Sequence, residues 1–480
     1  MKKISKRYYF LIGSLIFGMF FGAGNLIFPI HLGQLAGANW GKAAIGFLLS
    51  GVLLPLLSLL AISITRSNGI YDLAKPISPK YALIFLILVH ATLGPLFATP
   101  RTATVPFAMG FAPHIPARYQ TIGLLIYSAI FFGIVYYFSV HENGIVNTIG
   151  KLLNPAFLVM LFIIFLLAFI SPLGSTSGQH AAAGYTTQAM TSGFLEGYNT
   201  MDALAGLAFG ITVITAIHAL GIRKQRETSV FLAKSGIIGV ALIGIIYLAS
   251  IYLGAMSLNN YKISENGGIA LAQLAHHYLG AAGDALLATL ATVTCLTTAM
   301  GLVVAFAQDF HHRFPKISYR TFLTFNCLIS FLIANLGLTT IITWSTPVLM
   351  FLYPLAISLI ILGITSPLFG HDNRVYRMTT IFALIPAVFD MIRNFPPVLA
   401  GTGFAKAAVA FASSYFPFFS IGFGWISFAL CGFIIGLIAS AQLKAGMDAA
   451  SGWAVFAAVM PMAISVPQLR MEPMLASKVL

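Results

Sequence analysis

Charge is what this chain lacks. Of 480 residues only 8% are Asp, Glu, Lys or Arg, against about 25% in an ordinary soluble domain, which rules out a soluble globular reading. Acid is the scarcer sign: 12 Asp and Glu stand against 26 Lys and Arg, a net charge of +14. The three cysteines, Cys295, Cys327 and Cys431, all lie inside apolar runs, so neither a disulfide framework nor a metal spacing follows and each reads as a small hydrophobe. Also missing are a P-loop, a G-x-S-x-G elbow and a G-x-G-x-x-G followed by an acidic ribose ligand. Nothing in the chain is built to hydrolyse ATP or to hold a dinucleotide, and primary transport by this chain alone is disfavoured.

What is present is apolar surface. Hydrophobic residues make up 59%, aromatics 13%, and the mean hydropathy is +0.91, which excludes a disordered chain. A membrane helix needs about 20 residues to cross roughly 30 Å of hydrocarbon. Twelve such stretches are expected, at about 8–36, 41–65, 80–112, 120–140, 145–171, 193–219, 228–257, 281–308, 320–343, 346–368, 376–394 and 416–442. They do not alternate with period 2, so a β-barrel is excluded. The first run passes residue 30 without a small-residue cleavage motif and reads as an uncleaved span.

The basic residues fall at span ends, which points to a membrane surface and not to nucleic acid. On one set of alternate loops there are twenty, and on the other five, Lys42, Arg118, Lys262, Arg393 and Lys406. The positive-inside rule then puts the amino terminus, and with an even count both termini, in the cytoplasm. The longest loops, near 172–192 and 395–415, are too short to bury a core. Residues 443–480 read as a tail, interfacial or disordered.

Four features do not suit a plain membrane helix. The first span contains Phe21-Gly22-Ala23-Gly24-Asn25 near its middle, followed by Pro29. Such a sequence weakens the helix where the bilayer offers freed backbone groups no water, so a break there lines a cavity or binds something. Its alternative is a small-xxx-small packing contact through Gly18 and Gly22. The sixth span carries Phe194-Leu195-Glu196-Gly197-Tyr198-Asn199-Thr200-Met201-Asp202. A central Asp costs about 2.5–3.5 kcal/mol on insertion scales, so Glu196 and Asp202 either sit at the outer interface or are functional. Five spans separate these two anomalies, so the helices run in opposite directions, the signature of an inverted repeat.

In the eighth span Thr294, Thr297 and Thr298 share one helical face and offer neutral hard oxygens suited to Na⁺, unless each hydroxyl satisfies its own i−4 carbonyl. Arg101, in the third span, needs a carboxylate partner such as Asp202 or Glu196, or a wet cavity, unless it snorkels to the interface. His276-His277 and His311-His312 are expected in loops beside the eighth span, as solvated pairs without metal-ligand spacing.

The stretches Phe20 to Pro29, Gly94 to Val105, Glu196 to Leu204 and Thr294 to Gly301 resemble the branched-chain amino acid carrier family (BrnQ, also called livcs) over about residues 8–442. The resemblance implies an all-α membrane protein with two inverted five-helix repeats, about 8–171 and 193–368, two further helices over 376–442, and helices 1 and 6 broken, as in the leucine transporter. It implies secondary import of leucine, isoleucine and valine across the bacterial cytoplasmic (inner) membrane with Na⁺, without an enzymatic activity or an ATPase. It further implies that amides of Ala23, Gly24 and Asn25 meet the substrate carboxylate. The Gly197-Tyr198-Asn199 region, with carbonyls near Phe194 and Leu195, would meet the amine. Carbonyls of Gly18 and Phe21 with Thr294, Thr297 and Thr298 would hold Na⁺. Arg101, Glu196 and Asp202 remain candidates for coupling or gating. Proton coupling through Asp202 or Glu196 is the rival. A passive channel or a membrane enzyme would need a filter loop or a nucleophile with its base, and neither is evident.

Overall fold

The computed structural model describes residues 5–141 and 145–444; the expected tail therefore falls outside the described residues apart from its first two. Among the described residues there is helix and no strand. The first expected span is α1 (Lys6–Phe20) with α2 (Ala23–Ala36), and the second is α3 (Trp40–Leu48) with α4 (Leu54–Thr65). After the short α5 (Ile70–Ala74), the third is α6 (Pro79–Ala91) with α7 (Ala98–Pro106), the fourth α8 (Ala117–His141) and the fifth α9 (Ile145–Ile170). The sixth is α10 (Ala189–Glu196) with α11 (Asp202–Ala219), followed by α12 (Gln225–Ser257), α13 (Gly267–Arg313), α14 (Tyr319–Ala334) and α15 (Leu338–Thr365). Beyond these come α16 (Asn373–Arg393), α17 (Pro397–Ala400), α18 (Gly403–Tyr415) and α19 (Gly424–Lys444).

Nine helical stretches among the described residues are long and apolar enough to cross a membrane by length and composition, and Pro155–Ile170 and Tyr319–Ala334 are shorter apolar helices. One of the nine, Ala23–Thr65, reverses at Gly37, whose φ of +50° is open mainly to glycine, and so holds parts of two expected spans. The chain is a multi-pass membrane protein.

Several boundaries differ from expectation; the twelfth span, for one, starts at Gly424 and not near 416. The ninth and tenth segments part at 335–337 and not near 344, because Asn335 closes α14 and Gly337 takes φ +83°. The helix α13 begins at Gly267, well before residue 281, and bends at Gly280 (φ +57°). The four histidines thus lie on α13 and not in loops, and His276 Nδ1 reaches Asp284 Oδ2 at 2.8 Å across that bend. The connection at 395–415 is largely helical in α17 and α18.

Two groups of helices each pack on themselves. α1 and α2 lie on α12, α3 on α10, and α4 on α11 and α12; α7, α8, α9 and α14 surround α13, which also packs on α2. The first group is sealed by glycine. A Cβ on Gly33 would stand 2.0 Å from the Ile251 carbonyl oxygen, and one on Gly254 2.0 Å from that of Ile30, locking α2 to α12. Gly46 and Gly193 join α3 to α10 in the same way, with 1.8 Å to the Met190 oxygen and 2.1 Å to that of Ala43. Where lipid supplies no hydrophobic drive between helices, such close backbone approach supplies the attraction. Gly18 is different: a Cβ there would meet nothing within 4 Å, so the small-xxx-small reading of Gly18 and Gly22 does not hold.

Candidate functional site

The first span breaks where its sequence said it should. α1 stops at Phe20, Phe21 and Gly22 are extended, and α2 restarts at Ala23. The first amides of a new helix have no intrahelical acceptor, so Ala23, Gly24 and Asn25 present bare N–H groups with the partial positive charge of a helix start. Asn25 organises this end from within: its Oδ1 accepts from the Gly22 amide at 2.8 Å. Its Nδ2 donates to Asp202 Oδ2 at 2.8 Å and also contacts the Tyr247 hydroxyl.

The sixth span breaks differently. α10 tightens into a 3₁₀ turn over Gly197–Thr200, and Met201 then sits at φ +61°, ψ +9° before α11 starts. A left-handed methionine costs about 1–2 kcal/mol and is held by its surroundings. Asp202, in the first turn of α11, is only 4% exposed; the interface alternative does not hold for it. The Tyr247 hydroxyl donates to its Oδ2 at 3.0 Å. Glu196 is partly buried.

Arg101 is 3% exposed, so it does not snorkel. Nor does it pair with a carboxylate: among the described residues the five close ion pairs include neither Asp202 nor Glu196. Instead Nη1 donates to the Asn199 carbonyl at 2.9 Å, another guanidinium nitrogen bonds Ser345 Oγ, and the group lies 5.1 Å from the Phe28 ring centroid. Peptide dipoles and a ring face thus replace water around the cation. α7 of one packing group is thereby clasped to α2 and the 197–200 turn of the other.

The threonine face lies beside the first break. A Cβ on Gly22 would be 3.9 Å from Thr298 Oγ1, and one on Gly24 3.7 Å from the Asn199 carbonyl oxygen. Thr297 and Thr298 both donate to the Thr294 carbonyl, at 2.8 and 3.0 Å, so the local hydrogen-bond alternative accounts for their protons. Their oxygens keep lone pairs that can still accept a cation. Thr294 Oγ1 is buried with no hydrogen-bond partner. Phe194 and Leu195 lie in the last turn of α10, where the Gly197 N–H donates to the carbonyls of Gly193 and Leu195. Tyr247, Ser345 and Phe28 were not singled out from sequence, because each sits in an apolar run with nothing to mark it. Asp390, 2% exposed and 3.8 Å from Arg393 Nη2, was also missed; its only signal was an i, i+3 acid–base pair.

With this geometry in place, the relatives can be named. A family model described as branched-chain amino acid transport protein matches residues 5–443. The chain belongs to that family. It is 42% identical to the branched-chain amino acid permease BrnQ of Lactobacillus delbrueckii subsp. lactis, over 86% of this chain and 93% of that one. It is 37% identical to BrnQ of Bacillus subtilis, over 92% and 98%, and 39% identical to the branched-chain amino acid transport system 2 carrier protein of Pseudomonas aeruginosa, over 79% and 85%. The family and these relatives are transport proteins and not enzymes. Among solved structures, MhsT in complex with L-phenylalanine matches with a TM-score of 0.54 at 14% identity, covering 89% of this chain and 98% of that one. Mhp1, a nucleobase-cation-symport-1 family transporter in a closed conformation with bromovinylhydantoin bound, matches with 0.53 at 14%, covering 92% and 93%. The carrier thus has the inverted-repeat fold of the leucine-transporter type.

Proposed function

We propose that this carrier is a secondary symporter that brings leucine, isoleucine and valine into a bacterial cell across the cytoplasmic membrane with Na⁺, by alternating access. The observation that carries the reading is the placement of Gly22 and Gly24 between the Thr298 hydroxyl and the Asn199 carbonyl, which sets bare amides, a carbonyl and hydroxyls around one membrane-buried spot. An amino acid zwitterion cannot shed its hydration into hydrocarbon without replacements. The amides of Ala23, Gly24 and Asn25 take its carboxylate, and the carbonyls of Phe194 and Leu195, with the Gly197, Tyr198 and Asn199 turn, take its ammonium. Na⁺ lies between the carbonyls of Gly18 and Phe21 and the oxygens of Thr294, Thr297 and Thr298, tying the first break to α13. One charge moving inward through 100 mV supplies about 2.3 kcal/mol.

Alternating access is rocking of the glycine-sealed group, helices 1, 2, 6 and 7, against helices 3, 4, 8 and 9. Arg101 bridges the two and is the contact that closure makes. Asp202 and Glu196 tune the sixth-span break, and no ATPase is required. The excess of Lys and Arg on one set of loops supports cytoplasmic termini.

Proteoliposomes loaded without Na⁺ and given Na⁺ and pH gradients independently decide the coupling ion. Labelled leucine should accumulate with an inward Na⁺ gradient at equal pH, and Thr298→Ala should raise the half-saturating Na⁺ concentration roughly tenfold, since losing one hydrogen-bonding or ligating group costs about 1–3 kcal/mol. Accumulation driven by a pH gradient with choline replacing Na⁺ would transfer coupling to a proton on Asp202 or Glu196. Unchanged Na⁺ dependence in Thr298→Ala would remove the threonine site.

A further inference from the structure

Away from the two breaks, a pocket of about 480 Å³ opens where the end of α4, the last turns of α11 and the start of α12 meet. Its wall includes Arg66, His218, Arg223 and Lys224, with Ser67 and Asn68, and contains no carboxylate. None of Arg66, Arg223 and Lys224 makes an ion pair among the described residues. Of the acids nearby, Asp72 is occupied, its Oδ2 accepting from the Asn68 backbone and side-chain amides at 3.1 and 3.0 Å, and Glu227, in the first turn of α12, is not part of the wall.

The rim is built and not merely basic. Arg66 closes α4 in the left-handed region, φ +56°, a conformation that costs a branched or long side chain about 1–2 kcal/mol. Its Nε donates to Gln225 Oε1 at 2.8 Å, and the Gln225 amide in turn bonds the Ile64 carbonyl. That reciprocal clasp fixes the guanidinium at the mouth and joins α4 to α12. Three cations without an ion pair around one cavity give its mouth a positive potential, which an anion seated among them would lower. A phosphate group suits both the charge and the fork of an arginine. All three elements are ends of membrane helices, and α12 exposes Val230, Ile237 and Ile238 farther along its length, an apolar surface for acyl chains beside the polar mouth.

We propose that this pocket binds the phosphate of an anionic phospholipid headgroup, so that one lipid braces the ends of three helices of the glycine-sealed group. The assignment is independent of the substrate and of the coupling ion.

The test is retention of phosphatidylglycerol by the full-length carrier, followed by native mass spectrometry and by thermal melting in phosphatidylcholine micelles titrated with phosphatidylglycerol. The wild type should retain the anionic lipid and gain melting temperature. The triple variant Arg66→Gln, Arg223→Gln, Lys224→Gln should lose binding by roughly fivefold per cation removed, while Lys316→Gln with Arg320→Gln, at another basic loop, should retain it. Melting of each variant in phosphatidylcholine alone reports whether it is folded, and all three substituted side chains are exposed. Sodium phosphate without anionic lipid forms the second arm: protection by it that is equal to the lipid's and lost in the triple variant would support the phosphate site with a soluble phosphate as its occupant. Equal lipid retention by the triple variant and the wild type would overturn the proposal.

Discussion

The two helix breaks face each other and are made by opposite means. The first is local: glycine, an asparagine three residues on that caps the Gly22 amide at 2.8 Å, and Pro29 one turn later. The second has no proline, and it bends through a left-handed methionine that no local rule favours. It is held from outside, by Arg101 on the Asn199 carbonyl and by Asn25 and Tyr247 on Asp202. A break written into its own residues can form whenever the helix forms. A break held by distant groups depends on those groups being in place: Asn25 and Tyr247 belong to the same packing group as Asp202, and Arg101 reaches it from the other.

That contrast can be broken most severely at Asp202. Asp202→Ala leaves the Asn25 amide and the Tyr247 hydroxyl without their shared acceptor, at about 1–3 kcal/mol each, and leucine uptake into proteoliposomes should fall about a hundredfold or more. Asp202→Asn keeps an acceptor oxygen and should recover part of it; uptake in the alanine variant within threefold of wild type would refute the outside-held break. Arg101→Gln comes next, with uptake reduced roughly tenfold to a hundredfold and a lower melting temperature, because the Asn199 carbonyl loses a charged donor. If the sixth-span break were self-sufficient, neither quantity would move.

Asn25→Asp separates the two jobs of one residue. The Gly22 cap keeps its acceptor, while the amide donor to Asp202 is replaced by a second buried carboxyl that must share a proton with it, so uptake should drop about tenfold with α1 and α2 intact by hydrogen exchange. Exchange that instead rises across residues 21–25 would assign the cap, and not the cross-link, as the sensitive part. The smallest effect is expected at Gly18→Ala. The open space around Gly18 admits a methyl group, the carbonyl is retained, and alanine stiffens α1 by about 0.5–1 kcal/mol. Uptake should stay within twofold, and a large loss would restore the packing role that the geometry denies to Gly18.

Much of the architecture was legible because hydrocarbon is a demanding solvent. Runs of apolar residues, glycine and asparagine in mid-span, and an Asp in the sixth segment each carry a cost that only a few structures relieve, so they announced the helices, the first break and the buried acid. One turn was announced only faintly: Asn335 and Gly337 end one helix and begin the next, but asparagine and glycine also occur inside the apolar spans of this chain. Partners were hidden for a related reason. Arg101 was expected to seek a carboxylate or a wet cavity, but a carbonyl and a hydroxyl take its two terminal nitrogens while Nε stays buried without a partner, and nothing local distinguishes Ser345 or Tyr247 from their neighbours.

By itself the sequence determined the class of the molecule, its membrane helices, the weak point of the first span and the presence of an intramembrane acid, since these follow from composition and from backbone chemistry within a few residues. Only the tertiary structure decided which groups answer that acid, which neutral acceptors bond Arg101, and that Thr298 stands beside Gly22. Those contacts join residues up to 276 positions apart, and their energy depends on the orientation of packed helices, which no local pattern encodes.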